Sequence, residues 1–242
     1  MAVGRPTHLF IVCSAHPRVG KTLSARLVTE FQHANERPVA AFDLGSDELA
    51  LAEFLPAFAT PASIADLSGQ MALFEQLASD NGTQKVLDVG HRALAPLFML
   101  MRDIDFAGEA ARRSIQPIIL FVHSPDDSST RACAILRAQF PSFGMVPVAN
   151  EYVMQGQEVQ ESSASNISGV TSLRLPIVSP ELQTIIEQRP CSFAELHQCA
   201  QDELPSELWN ELDDWLRQCF RQLRELYLAL LMHDLNASLG GS

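Results

Sequence analysis

One segment of the chain has the residues and spacing of a phosphate-binding loop. Ala15 is followed five residues later by Gly20, Lys21 and Thr22, which matches the pattern Ala/Gly-x4-Gly-Lys-Ser/Thr. In such a loop the glycine lets the backbone approach phosphate oxygens, the lysine contacts the terminal phosphates and the hydroxyl binds Mg²⁺. The chain has 15 arginines but only two lysines, Lys21 and Lys85, and one of them occupies the required position. The segment therefore predicts a nucleotide site.

The residues expected to contact the nucleotide belong to this loop and to the start of the helix that follows it. They are Ala15, His16, Pro17, Arg18, Val19, Gly20, Lys21, Thr22 and Leu23. Ala15 and Pro17 stand where glycines would ease the turn. The alternative is therefore a degenerate loop that keeps its sequence but no longer binds nucleotide.

A bound Mg²⁺ also needs an acid near Thr22, normally at the end of a neighbouring apolar strand. Asp88 ends the apolar run Lys-Val-Leu-Asp, and Asp43 ends the run Ala-Ala-Phe-Asp. An acid at a strand end is often a simple cap, but beside a phosphate loop both become candidate metal ligands. We therefore predict a metal site made by Thr22, Asp43 and Asp88.

These residues must be positioned by a strand before the loop and a helix after it. Short, continuous apolar runs recur along the chain and are predicted to be strands: residues 8–14, 38–44, 84–89, 117–123, 144–150 and 170–176. Because the runs do not alternate with polar residues, both faces of the strands should be covered by helices. The pattern predicts an α/β fold with a mainly parallel sheet flanked by helices.

Two stretches interrupt this pattern. Residues 53–63 contain two prolines among apolar residues and are predicted to be irregular. Residues 155–169 are polar and rich in serine, which predicts a loop.

The pattern of apolar residues changes after Pro205, where an amphipathic helix is predicted. Its apolar residues have heptad spacing and form a seam: Trp209, Leu212, Leu216, Cys219, Leu223, Leu226 and Leu230. This seam could pack against the protein's own sheet, or it could bind a partner or a second copy. We expect a nucleotide-binding domain in residues 1–178 and a C-terminal helical region in residues 179–242.

Composition excludes several classes of protein. The chain has 29 acidic and 17 basic residues and a formal net charge of -12, which disfavours nonspecific binding to DNA. Five scattered cysteines without a CxxC pair suggest neither a disulfide framework nor a zinc site, and fit a cytoplasmic location. The longest apolar runs fall short of the roughly 20 residues that cross a bilayer, so no membrane span is expected.

With these motifs in place, residues 8–178 resemble the ParA/MinD group of P-loop ATPases, and Asn150-Glu151-Tyr152 is reminiscent of its StbB/TraL branch. The resemblance implies ATP or ADP with Mg²⁺ as the ligands and a homodimer as the assembly. It also implies Lys21 at the phosphates, Asp88 as the Walker B acid, Asp43 near the metal and Asn150 at the base.

The chain departs from this group at two positions that concern hydrolysis. His16 stands where the group has a signature lysine that reaches across the dimer, and Gly45 stands where it has a second aspartate. Asp47 lies two residues further on and could orient the attacking water as a catalytic residue, or could cap a helix starting near Glu48. We therefore expect slow or absent hydrolysis.

The resulting hypothesis is a weak or inactive ATPase that acts as a nucleotide-dependent switch in partitioning, positioning or plasmid maintenance. One alternative is a P-loop ligase or synthetase that acts on a small molecule, similar to dethiobiotin synthetase. Another is a pseudo-ATPase scaffold that binds a protein partner through its C-terminal helix.

Overall fold

The computed structural model describes residues 7–45, 50–158 and 165–240. Within them the strands are β1 (Thr7–Cys13), β2 (Val39–Leu44), β3 (Ala59–Pro61), β4 (Gln84–Val89), β5 (Ile115–Val122), β6 (Gly144–Asn150) and β7 (Leu173–Leu175). The helices are α1 (Lys21–Ala34), α2 (Leu51–Phe54), α3 (Leu67–Leu77), α4 (Leu94–Asp103), α5 (Phe106–Arg112), α6 (Asp127–Gln139), α7 (Glu151–Met154), α8 (Pro180–Gln188), α9 (Phe193–Glu203) and α10 (Ser206–Gly240).

The seven strands of the described residues form one sheet in the order β3-β2-β4-β1-β5-β6-β7, and every strand pair is parallel. The predicted α/β fold with a parallel sheet is therefore confirmed, and all six predicted strands are present. Parallel pairing brings the carboxyl ends of β1, β4 and β2 to one edge of the sheet, where ligands bind in folds of this type.

Strand β3 lies in the stretch that the sequence predicted to be irregular, so that prediction was wrong. Ala59–Pro61 pairs with β2 at the edge of the sheet, after the short helix α2. An edge strand tolerates Pro61 because its missing N–H is not needed for a second neighbour. A three-residue strand that contains a proline has no period-two pattern by which it could be recognised.

Successive residues of the central strand β1 pack into two different apolar cores. Phe10 and Val12 belong to the core under α1, α8, α9 and α10, whereas Leu9 and Ile11 belong to the core under α3, α4, α5 and α6. This two-sided burial is the physical reason for the continuous apolar run in the sequence.

The apolar seam of α10 faces the protein's own sheet. Leu212, Cys219, Leu226 and Leu230 are 0–3% exposed and belong to the core that also contains α1. Gln222, on the same helix, accepts a hydrogen bond from the N–H of Arg174 (2.7 Å) and donates one to its carbonyl oxygen (2.8 Å). The side-chain amide thereby satisfies polar backbone groups of edge strand β7.

Among the described residues, none of the helices combines the length and the apolar character that crossing a lipid bilayer requires.

Two leucines on α10 test this packing because they differ in burial. Leu226 is 1% exposed and Leu228 is 55% exposed. We expect Leu226→Ala to lower the free energy of unfolding by about 2–5 kcal/mol, since it leaves a cavity in the shared core. Urea denaturation of the purified variants measures this change.

Leu228→Ala is the matched control, and its effect should stay within about 0.5 kcal/mol. Equal losses in the two variants would contradict the packing of α10 against the sheet.

Candidate functional site

The loop predicted to bind phosphate connects β1 to α1 and contains one position that only glycine suits. Gly20 has φ +100° and ψ 25°, a left-handed conformation that strains other residues. A Cβ atom on Gly20 would also lie 2.8 Å from Nδ2 of Asn150. The backbone conformation therefore favours glycine here, and a larger residue would also displace the end of the Asn150 side chain.

Helix α1 starts directly after this loop, and Gly20 does not cap its N-terminus with a side chain. Gly20 is the N-cap residue and has no side chain to cap the helix, and the first turn has no acidic residue. The first N–H groups of a helix and the positive end of its dipole attract anions. The 14-residue helix α1 therefore offers an anion-binding terminus at the predicted place.

The ammonium group of Lys21 lies over the loop. Lys21 is 8% exposed, and its Nζ donates a hydrogen bond to the backbone carbonyl of His16 at 2.7 Å. The side chain thus spans the same turn of backbone that would surround a phosphate. A bound phosphate would compete with this carbonyl for the ammonium.

Thr22 and Asp88 meet although they are 66 residues apart in the sequence. The Thr22 hydroxyl donates a hydrogen bond to Asp88 Oδ2 at 2.7 Å, and Asp88 is 2% exposed. The pKa of the Asp88 carboxyl is raised to about 7, because burial and the charge of Asp43 outweigh the lowering by the Thr22 hydrogen bond and Lys21. The structure therefore brings together the predicted hydroxyl and the predicted acid.

Asp43 is the neighbour of Asp88 in the β2–β4 register, and it is 4% exposed. Its Oδ1 accepts a hydrogen bond from the N–H of Gly45 (2.6 Å), and its Oδ2 accepts one from the N–H of Ala52 (3.3 Å). Both oxygens thus bind the backbone that follows β2. Asp47, the predicted catalytic residue, lies outside the described residues.

These side chains suit Mg²⁺ that arrives together with a phosphate ligand. In the described parts of the chain, no cluster of three or more His, Cys, Asp or Glu residues could hold a metal ion. Mg²⁺ is usually bound by one or two carboxylates, with phosphate oxygens and waters completing its octahedron. The Thr22 hydroxyl and the Asp88 carboxylate are a donor set of this kind, with Asp43 beside them.

Asn150 lies against the loop from the end of β6. Its Nδ2 donates a hydrogen bond to the carbonyl oxygen of Val19 (3.2 Å), and its Oδ1 accepts one from the N–H of Tyr152 (3.2 Å). The structure thus brings Asn150 to the site, where it supports the loop backbone. Its contact with a base stays a prediction.

His16 connects the loop to the turn between β5 and α6. Its Nε2 lies 2.8 Å from the Ser128 hydroxyl and 3.2 Å from Asp126 Oδ1. Asp126 also accepts a hydrogen bond from the N–H of Ser129 and is the N-cap of α6. The hydroxyls of Ser124 and Ser128 hold the pKa of Asp126 well below its usual range. The contact with His16 had no signal in the sequence.

The other predicted loop residues differ in exposure. Val19 is buried in the core under α1, and Leu23 packs against the same core. Ala15 is half-buried, whereas Pro17 and Arg18 are exposed. Val19 and Leu23 therefore anchor the loop through their side chains, and only their backbone could contact a phosphate.

His123 is a further buried polar residue, located just after β5. It is 2% exposed, its ring packs on Phe121 with centroids 4.9 Å apart, and its Nε2 has no hydrogen-bond partner in the described residues. Burial lowers the pKa of His123 to about 4, although Asp126 opposes the shift. The histidine is therefore neutral at physiological pH.

Comparison with solved structures relates this fold to a known one. A chain of the MinC:MinD cell division protein complex of Aquifex aeolicus matches with a TM-score of 0.50 and 13% sequence identity. The match covers 90% of this chain and 95% of that chain. No protein-family model matches the chain, and no curated protein matches it. At this identity the similarity shows the fold alone, which is a P-loop NTPase-like α/β fold with a parallel sheet flanked by helices.

Asp88 should make the stability of the protein depend on pH. Between pH 3.8, the ordinary pKa of an aspartate, and about pH 7, the folded protein holds a proton that the unfolded chain has released. The contribution of Asp88 to the free energy of unfolding therefore falls as pH rises through this range. The contribution of His123 to the free energy of unfolding has the opposite sign. It rises with pH from about 4 to 6.5, because there the unfolded chain holds the extra proton.

We expect Asp88→Asn to remove the contribution of Asp88 and retain an acceptor for Thr22. The variant should gain stability relative to the wild type as pH rises, by roughly 4 kcal/mol above pH 7. Urea denaturation at a series of pH values measures this difference. A difference that does not change with pH would contradict the raised pKa of Asp88.

Proposed function

We propose that this protein binds ATP or ADP with Mg²⁺ at the loop formed by residues 15–23. In this proposal residues 1–178 carry the nucleotide site, and residues 179–242 form a helical region packed against them. The protein acts in the cytoplasm as a nucleotide-dependent switch of the ParA/MinD type, in partitioning, positioning or plasmid maintenance.

The single observation that carries this proposal is the hydrogen bond between Thr22 and Asp88. An accidental Gly-Lys-Thr sequence has no reason to place its hydroxyl 2.7 Å from a buried strand-end acid. With the open N-terminus of α1 and the nearby Lys21, this pair forms the set of groups that phosphate and Mg²⁺ need.

Each of these groups has a role when nucleotide is bound. The N–H groups at the start of α1 and the Lys21 ammonium hold the β- and γ-phosphates, and Thr22 and Asp88 hold the metal. Mg²⁺ supplies charge compensation at the phosphates. Asn150 keeps the Val19 carbonyl and the Gly20 turn in position for this binding.

Hydrolysis is proposed to be slow or absent. Gly45 has no side chain that could orient a water molecule, and Asp43, two residues before it, binds backbone N–H groups. His16 contacts Asp126 and Ser128 of its own chain and carries no extended ammonium. ATP and ADP then act chiefly as conformational ligands, and the proposed assembly that they control is a homodimer.

The two lysines provide a matched test of nucleotide binding. Lys21→Met should weaken the binding of ATP with Mg²⁺ about 10- to 100-fold, because a charge-assisted hydrogen bond worth roughly 1.5–3 kcal/mol is lost. Isothermal titration calorimetry at millimolar ligand measures the affinities.

Lys85→Met is the control. Lys85 is 2% exposed, and its ammonium binds the carbonyls of Ser79 and Thr83 in the turn before β4. This variant is expected to lose stability and to keep the wild-type affinity for nucleotide. Wild-type protein that binds neither ATP nor ADP would rule out the proposed function.

The switch is tested by assembly. Light scattering coupled to size exclusion should give a dimer mass with Mg²⁺ and a non-hydrolysable ATP analogue, and a monomer mass with ADP. If the mass is the same with both nucleotides although both bind, then nucleotide binding does not control dimerisation.

A further inference from the structure

Two buried charged residues of α1 lie beyond the nucleotide site. Arg26 is 2% exposed and Glu30 is 6% exposed, and they are one helical turn apart. Charged side chains are buried only where partners compensate the loss of water. Both find these partners in the α8–α9 corner, by which we mean residues 186–194.

Arg26 satisfies carbonyl groups of the α8–α9 corner. Its guanidinium donates hydrogen bonds to the carbonyl oxygens of Ile186 (2.8 Å) and Cys191 (3.0 Å). Ile186 is in the last turn of α8, where carbonyl groups have no partner within the helix. The guanidinium thus takes the place of the missing helical donors.

Glu30 satisfies N–H groups on the other side of the α8–α9 corner. Its carboxylate accepts hydrogen bonds from the N–H of Phe193 (2.8 Å) and the N–H of Ala194 (3.1 Å). These are the first residues of α9, whose N–H groups also lack partners within the helix. Burial raises the pKa of Glu30 overall, and these two bonds and Arg26 limit that rise because they favour the carboxylate.

The guanidinium of Arg26 is held between two aromatic rings. Its central carbon lies 3.9 Å from the centre of the Phe54 ring and 4.2 Å from the centre of the Phe193 ring. Burial lowers the pKa of Arg26 to about 10, which still leaves it charged at neutral pH. Phe193 belongs to the α8–α9 corner, whereas Phe54 is the last residue of α2.

Helix α2 is in turn connected to the nucleotide site. The N–H of Ala52 donates to the Asp43 carboxylate at 3.3 Å, and Asp43 is the register neighbour of Asp88. A continuous set of contacts therefore runs from Asp43 through α2 and the Phe54 ring to Arg26.

We infer that Arg26 couples occupancy of the nucleotide site to the order of the α8–α9 corner. Asp43 Oδ2 accepts its bond from the N–H of Ala52 at 3.3 Å, and this bond would weaken if Thr22 and Asp88 held a divalent cation that drew the Asp43 carboxylate toward it. Helix α2 and the Phe54 ring then shift, and the aromatic enclosure of Arg26 opens to water. The carbonyl and N–H groups of the corner become easier to expose. This inference rests on the proposed function.

The coupling is measured by hydrogen–deuterium exchange of the peptides that cover residues 186–196. Binding of a non-hydrolysable ATP analogue with Mg²⁺ should speed exchange there about fivefold, the lower end of coupling factors between linked sites. Phe54→Leu keeps the apolar volume of α2 and removes the aromatic face, so exchange in this variant should not respond to nucleotide. Linkage requires the variant to bind the analogue at least as tightly as the wild type.

Phe58→Leu is the matched control, because the Phe58 ring packs on His33 instead, with centroids 4.7 Å apart. This variant should respond as the wild type does. Arg26→Lys keeps the charge and loses the forked pair of donors, and it should also lose the response. Thermal unfolding confirms that each variant is folded before exchange is measured.

Three other results would overturn the coupling, its route through Phe54, or the proposed function. Nucleotide binding with unchanged or slower exchange at the α8–α9 corner overturns the coupling and leaves the proposed function standing. A full response in Phe54→Leu overturns the route through the aromatic ring. If calorimetry shows that the wild-type protein binds no nucleotide, the proposed function and the coupling fall together.

Discussion

Helix α1 begins at the proposed site with no side-chain cap from Gly20, while most of its length is enclosed. Residues 24–32 are buried without a break, and they include two charged side chains, Arg26 and Glu30. Buried charges must find hydrogen-bonding partners inside the protein. The backbone of the α8–α9 corner supplies these partners, and the packing of the C-terminal helices follows from this requirement. The helical region after residue 178 thus covers the polar side of the helix that follows the proposed phosphate-binding loop.

The buried carboxylates at the edge of the sheet also need partners that compensate their charge. Asp43 and Asp88 are neighbours in register on adjacent strands, and two buried like charges repel each other. The structure gives them different partners, with backbone N–H groups for Asp43 and the Thr22 hydroxyl for Asp88. Lys21 adds positive charge nearby and lowers the pKa of Asp88. A divalent cation would complete this compensation, which fits the ligand that we propose.

The parts of the fold and of the candidate site that could be predicted are those encoded by neighbouring residues. The loop motif lies within eight residues, and each predicted strand is one apolar run, because burial on both faces requires apolar side chains throughout the strand. Asp88 could be found since it ends such a run. The contacts of Asn150 with Val19 and of His16 with Asp126 join residues more than 100 positions apart. No local pattern encodes such distances, and β3 is too short to have a pattern at all.

The sequence by itself determined the parallel α/β class, the loop motif and the identity of the Thr22–Asp88 pair, since periodicity and motif spacing act over a few residues. The tertiary structure alone decided how the polar side of α1 is used. Arg26 and Glu30 have the spacing of an ordinary solvent-exposed ion pair on a helix. They became the attachment points of the C-terminal helices because the α8–α9 corner has carbonyl and N–H groups that lack helical partners. Which backbone groups of the chain need partners is known only once the fold is complete.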